Sequence, residues 1–293
     1  MSSNSVDDTQ SDPNTSGQLK YLVAFSPTDL SEQVIHVAVA LAHARPGDSV
    51  VCGSITHTRN KTADALEAKT AAEQICHNIK IATHAEHVQI DFEQDAAKDE
   101  TIFKYQVNNS AEKFLEIAEK QQATHIVMGK RNLRGVAKFF SKSFSKAILA
   151  KSSLPMYMMS ADFDADAFTL ENNAVFFEIL KGRDMPKMDI NGGSDCYCRF
   201  ESHATKLKGF TQVIQSNLNP EWNSAFMVAN KESVAIEVWD YDAIGSDDFI
   251  GVSQVVFDEL EKANDSFERW FGLKSRAGET VQGEILIRAT LLN

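Results

Sequence analysis

Five aspartates have the residue type and the spacing to do chemistry together. Asp189 and Asp195 stand six apart, with Asn191-Gly192-Gly193 between them to make a turn. Asp240 and Asp242 alternate, and Asp248 follows after a short loop that holds Gly245. On a strand, alternate side chains leave on one side, so Asp240 and Asp242 are expected to point together. If both loops lie at one end of a sheet, five carboxylates converge, and like charges that close repel. A hard cation relieves the repulsion. Calcium takes about six to eight oxygens in flexible geometry, so it suits this set better than magnesium or zinc. A lone aspartate is often only a turn former, because its side chain bonds its own backbone. Five in this pattern are read as ligands.

The elements that must position them are short strands. Val175, Phe177 and Ile179 alternate ahead of the first loop, and Val234, Ile236 and Val238 run into the second. Turn residues separate such stretches, and helical spacing shows only in a short piece near 257–264. This predicts an all-β antiparallel sandwich. Trp222, Trp239 and Trp270 are expected to be packing residues.

The first half reads differently. Strands are expected at Tyr21–Phe25, Ser49–Ile55, His87–Phe92, His125–Met128 and Met156–Met159. Helices are expected after Asp29 with Glu32, over 62–82, after Asn109 with Glu112, and over 141–151; the Asp/Glu and Asn/Glu pairs have capping-box spacing. Alternating strand and helix implies an α/β fold with a parallel sheet covered on both faces.

Charge divides the chain in the same place. The formal net charge is -12, from 29 basic and 41 acidic residues. Residues 1–160 hold 18 acidic and 17 basic side chains, and residues 161–293 hold 23 and 12. The acidic balance argues against nucleic acid as a partner. The organisation expected is a disordered tail over 1–18, an α/β domain over 19–160, a linker over 161–172 and a β domain over 173–293. Asp162, Asp164 and Asp166 imitate an EF-hand start, but Ala167 stands where Gly is needed and Asn173 where a bidentate Glu is needed. Four cysteines make no disulfide scaffold; Cys52 and Cys76 stand alone, and Cys196 and Cys198 share a strand face without a zinc pattern. The N-terminal segment has no basic start and no signal-peptide character, and no apolar run nears the ~18 residues a span needs. A cytoplasmic protein is expected. No nucleophile stands beside a base, so an enzyme is not expected.

Two resemblances follow from these residues. The run from Thr124 to Met159 resembles the end of a universal stress protein domain, whose strand leads into Gly-x2-Gly-x9-Gly-Ser/Thr, a helix and a Pro-led last strand. Gly129 and Ser143 match, whereas Asn132 and Lys142 stand in place of the second and third glycines, and Ser26 stands where ATP-binding members tend to carry Asp. The resemblance implies ATP as a ligand held near Gly129, Asn132, Lys142 and Ser143, with Lys130, Arg131, Arg134 and Lys138 close by to add positive charge. It also implies a homodimer through the last strand, Met156–Met159.

Residues 173–293 resemble a C2 domain. The family's Asp-x5-Asp is met by Asp189 and Asp195, its Asn-Pro-x-Trp-Asn by Asn219, Pro220, Trp222 and Asn223, and its Asp-x-Asp-x5-Asp-aromatic-Ile-Gly by Asp240, Asp242, Asp248, Phe249, Ile250 and Gly251. The resemblance implies two or three calcium ions, with backbone carbonyls near Met188 and Tyr241 completing the shell. It implies an anionic phospholipid surface as partner, with Ile190, Ala243 and Ile244 at the tips that meet it and peripheral membrane association on calcium binding. Arg199, Lys206 and Lys208, broken by Glu201 and His203, make a thin basic strand, so phosphoinositide preference is expected to be weak. Gly283–Leu292 as the last strand, with no strand partner before Val175, suggests the permuted topology whose first strand leads directly to the first calcium loop. The function expected is calcium-dependent targeting of the stress-protein domain to membranes. The alternative is an ATP-binding stress protein whose C2 domain binds other proteins.

Overall fold

Tyr21, Leu22 and Val23 are all buried, as three successive residues must be where helices cover both faces of a strand. The computed structural model describes residues 17–25, 30–57, 63–82, 84–97, 103–129, 144–159, 163, 168, 174–188, 193–203, 205–229, 231, 233–262 and 264–292. The first part runs β1 (Lys20–Phe25), α1 (Leu30–His43), β2 (Ser49–His57), α2 (Ala63–Ala82), β3 (Gln89–Ala97), α3 (Phe103–Lys120), β4 (His125–Gly129), α4 (Phe144–Lys151) and β5 (Met156–Met159). Its strands are parallel in the order β3-β2-β1-β4-β5. β3 runs five residues past the expected end, because β2 is equally long and pairs with it as far as His57 and Ala97. α3 begins at Phe103, not after Asn109. No Gly or Pro precedes Asn109 to stop the helix, so a capping-type pair sits inside it.

The second part is antiparallel: β6 (Val175–Arg183), β7 (Cys196–Glu201), β8 (Lys208–Phe210), β9 (Glu221–Val228), β10 (Val234–Asp240), β11 (Asp248–Val255), β12 (Ser266–Lys274) and β13 (Thr280–Leu291). Their order is β8-β7-β10-β11-β12-β13-β6-β9, and β11 meets β12 at one residue pair only, where the sheet turns over on itself. Phe177 of β6 and Phe226 of β9 then face Phe200 of β7, with ring centres 5.2 and 5.1 Å from it. First and last strands, β6 and β13, are paired, as the permuted topology requires. The short helix near 257–264 is absent among the described residues: Leu260 N–H and Asp265 N–H close i+3 turns on Phe257 and Lys262. The Asp265 carboxylate accepts the N–H groups of Glu261 and Lys262, which favours a turn over a helix.

The two parts join edge to edge. β5 pairs antiparallel with β8, Met156 with Phe210, Tyr157 with Gly209 and Met158 with Lys208. This is the strand through which the resemblance implies a homodimer, and its free edge is already taken by the chain's own β8, so a second copy has no edge to add to there. Gly209 is required at the junction: a Cβ there would run into the buried Phe200 ring. Met227 N–H donates to the Tyr157 hydroxyl at 2.7 Å, and Arg45 lies over the Phe176 ring. That explains why Phe176 is buried along with its neighbours Val175 and Phe177 on β6, against simple alternation. Of the linker, Phe163 and Phe168 are described, and both are buried. Cys52 and Cys76, remote in sequence, lie with their sulfurs 3.8 Å apart between β2 and α2. The bond to Cys76, with burial adding to it, pushes the Cys52 thiol up, and the same bond lowers Cys76.

His125 reports on this junction. Its Nε2 lies 2.8 Å from the Ala225 carbonyl, which can only accept, so Nε2 carries the proton. Burial pushes its pKa down to about 4, with Arg45 adding to the shift against the Ala225 bond. The unfolded chain therefore takes up the proton first, and stability present above the unfolded value is lost as pH falls from about 6.5 towards 4. Nearby Asp48, pushed up to about 6 by burial, has the opposite sign, because its folded form protonates first. In urea titrations at pH 7 and pH 5, His125→Gln is expected to lose about 2 kcal/mol less on acidification than the natural chain. Equal losses would count against a buried neutral His125.

Candidate metal centre

The register of three neighbouring strands sets the site. Asp240, the last residue of β10, pairs with Cys196 at the start of β7 and with Asp248 at the start of β11. Asp195 immediately precedes Cys196. Asp195, Asp240 and Asp248 therefore leave the same end of the sheet. Asp242 lies two residues beyond β10, in the loop closed by Gly245 at φ +102°, a conformation that needs glycine. The expected alternation thus stops at Asp240, and Asp242 is placed by the loop and not by a strand.

Hydrogen bonds tie the loops together. Asp195 N–H donates to Asp240 Oδ1, Ser216 N–H to Asp195 Oδ1 at 2.8 Å, and Tyr241 N–H to the Asp195 carbonyl at 3.0 Å. Met188 N–H donates to Ser194 Oγ and the Gly193 carbonyl, closing the first loop at its base. Asp189 and Ile190 fall outside the described residues. The Asn-Pro-x-Trp motif holds the root: Asn219 Oδ1 accepts the Asp184 N–H, and the buried Trp222 donates its indole N–H to the Cys196 carbonyl at 3.1 Å. Trp222 and Trp239 are the packing residues expected, Trp239 half-buried against the core and edge-on to Phe249, with Arg199 4.0 Å from its ring centre. Trp270 lies under Arg183, 4.1 Å from its ring centre.

Asp240 is only 3% exposed, whereas Ala243 and Ile244 stand out at the loop tip, Ile244 at 92%. One residue escaped sequence reasoning. Asp247 accepts Asp242 N–H and Lys146 Nζ on Oδ1, and the Tyr197 hydroxyl on Oδ2. Burial and Asp247 together raise the Tyr197 hydroxyl well above its usual value, so it stays a donor. The sequence signal was the doublet Asp247-Asp248, of which only the second matches the motif.

The donor set suits a hard cation: carboxylates and carbonyls gathered at one end, with no imidazole in the loops and the Cys196 and Cys198 side chains buried. Among the described residues no three of His, Cys, Asp and Glu are grouped closely enough to hold a metal ion. For the nucleotide expectation, Gly129 ends β4 paired with Met159, while Asn132, Lys142 and Ser143 lie outside the described residues. No helix among the described residues is long and apolar enough to cross a membrane.

Known proteins resemble this chain in part. FT-interacting protein 7 of Oryza sativa subsp. japonica is 32% identical over 123 residues, 39% of this chain and 15% of its own length. The eye isozyme of protein kinase C of Drosophila melanogaster is 31% identical over 123 residues, again 39% of this chain and 17% of its own. The chain thus spans about a sixth of these relatives. Among solved structures, a C2 domain of plant extended synaptotagmin 1 aligns with 41% of this chain and 94% of its own at 19% identity, with a TM-score of 0.38. Family models divide the chain where its charge does: residues 20–159 match the universal stress protein family and residues 173–273 the C2 domain, so the protein joins a universal stress protein domain to a C2 domain, in that order.

Proposed function

We propose that the chain is a calcium-dependent membrane-binding protein, whose C2 domain carries the universal stress protein domain to anionic phospholipid. The observation that carries this reading is the strand register that brings Asp195, Asp240 and Asp248 to one end, beside the exposed Ile244. Asp189, Asp195, Asp240, Asp242 and Asp248 would hold two or three ions, with the carbonyls of Met188 and Tyr241. Calcium supplies positive charge there and open coordination positions for headgroup phosphates. The chain's own residues do the rest. Asp195 and Asp240 fix the loop roots to one another, and Ala243 and Ile244 offer an apolar tip to the headgroup region.

The basic strand contributes little. Arg199 is paired with Glu237 and Lys208 with Glu201, and the edge of β8 is covered by β5. Phosphatidylserine is therefore expected to serve as well as a phosphoinositide. The test is co-sedimentation of the full chain with phosphatidylcholine vesicles, with and without phosphatidylserine, in calcium or in chelator. Pelleting is expected only with calcium and phosphatidylserine together. Equal pelleting in chelator, or none in calcium, rules the reading out.

A further inference from the structure

The first domain places a cation at the carboxylate loops of the second. Lys146 lies on α4, two turns of helix that contribute Ala147, Ile148 and Leu149 to the buried core. Its ammonium sits 3.1 Å from Asp247 Oδ1 and 5.2 Å from the centre of the Tyr241 ring. Tyr241 stands between Asp240 and Asp242, and Asp247 adjoins Asp248. The ammonium thus faces the one loop that carries three of the five proposed ligands. Asp247 is itself engaged: the Asp242 N–H and the Tyr197 hydroxyl hold it in place beneath that ammonium.

We propose that Lys146 is a tethered cation of the calcium end, so that calcium binding and the docking of α4 on the loop oppose one another. This rests on the calcium reading above. Lys146 neutralises Asp247, which adjoins the proposed ligand Asp248, and a fixed positive charge beside that loop repels a second cation held there. The coupling is reciprocal: Lys146 lowers calcium affinity, and bound calcium loosens the hold of α4 on the loop. A membrane signal read by the second domain is thereby passed to the first without a separate messenger. A surface ion pair with only a local role contributes little and leaves calcium affinity unchanged. A strut that shapes the loop for calcium has the opposite sign, since its removal weakens binding.

Calorimetric titration of calcium into the full chain separates these. Lys146→Met keeps an unbranched side chain of similar length and removes the charge that stands over Tyr241. It is expected to tighten calcium binding by about threefold or more at low salt, with the gap closing as ionic strength rises. Lys151→Met, at the end of the same helix, which breaks the Lys151–Glu112 pair between α4 and α3, is the control and is expected to leave affinity unchanged. In the natural chain, calcium is expected to speed amide exchange over residues 144–151. Calcium binding of equal or weaker affinity in Lys146→Met overturns the inference and leaves the calcium reading intact. No calcium uptake by either protein overturns both.

Discussion

Asp240→Asn is expected to abolish calcium-dependent pelleting with phosphatidylserine vesicles and to leave the fold intact. Asp240 is the central carboxylate of the site, paired in register with the starts of both β7 and β11. It is also the most buried of the described aspartates at that end, so solvent screens its charge least. Removing one charge from direct contact with a divalent ion costs about 3 kcal/mol or more at an effective dielectric near 20, which is a hundredfold or more in affinity. The amide is isosteric, and its oxygen still accepts the Asp195 N–H that Asp240 Oδ1 now accepts. Without calcium the variant is relieved of like-charge repulsion, so its melting temperature is expected to stay close to that of the natural chain. Calcium should raise the melting temperature of the natural chain by mass action and that of the variant far less. A variant that pelleted normally with calcium would remove Asp240 from the ligand set.

Much of this site is legible because strand ends are legible. The alternation of Val234, Ile236 and Val238 fixes where β10 runs, and Asp240 must close it. The turn after it returns the chain as β11, which brings Asp248 beside Asp240. Carboxylates that flank a hairpin in this way need no tertiary information. The limits are equally physical. Period-2 spacing makes Asp242 a strand residue, because it does not reveal where a ladder ends. Asp247 is held by donors from the loop, from β7 and from α4, three places that local spacing does not connect. The β5–β8 junction is hidden for the same reason: Lys208-Gly209-Phe210 is too short to show a period, and its partner lies some fifty residues upstream. Cys52 and Cys76 meet only once α2 has packed on β2. The consequence reaches function. Read from motifs, the two domains are beads on a linker, and the last strand of the first is an edge for another copy. In the structure that edge belongs to the second domain, and the loop that carries Asp242 and Asp247 is within reach of α4.

Trp222→Ala is expected to have the largest effect on stability, about 3–5 kcal/mol in urea or thermal unfolding. The indole is almost fully buried, lies against Gly182 of β6 and donates to the Cys196 carbonyl of β7. It therefore bridges the two halves of the sandwich directly beneath the loop roots. Truncation leaves a cavity that the short, hydrogen-bonded turns around Asp184 and Asn219 cannot close. It also removes one of the two donors to the Cys196 carbonyl next to Asp195, leaving the Ile214 N–H alone, so calcium affinity should fall with stability. Trp222→Phe separates the two contributions. It fills most of the volume and loses only the N–H donor, which is worth about 1 kcal/mol. A calcium affinity lowered in Trp222→Phe, at nearly natural stability, would show that the indole bond itself positions Asp195. If both variants bind calcium normally once refolded, the loop geometry is held by the Asp195–Asp240 bonds alone, and Trp222 serves the core.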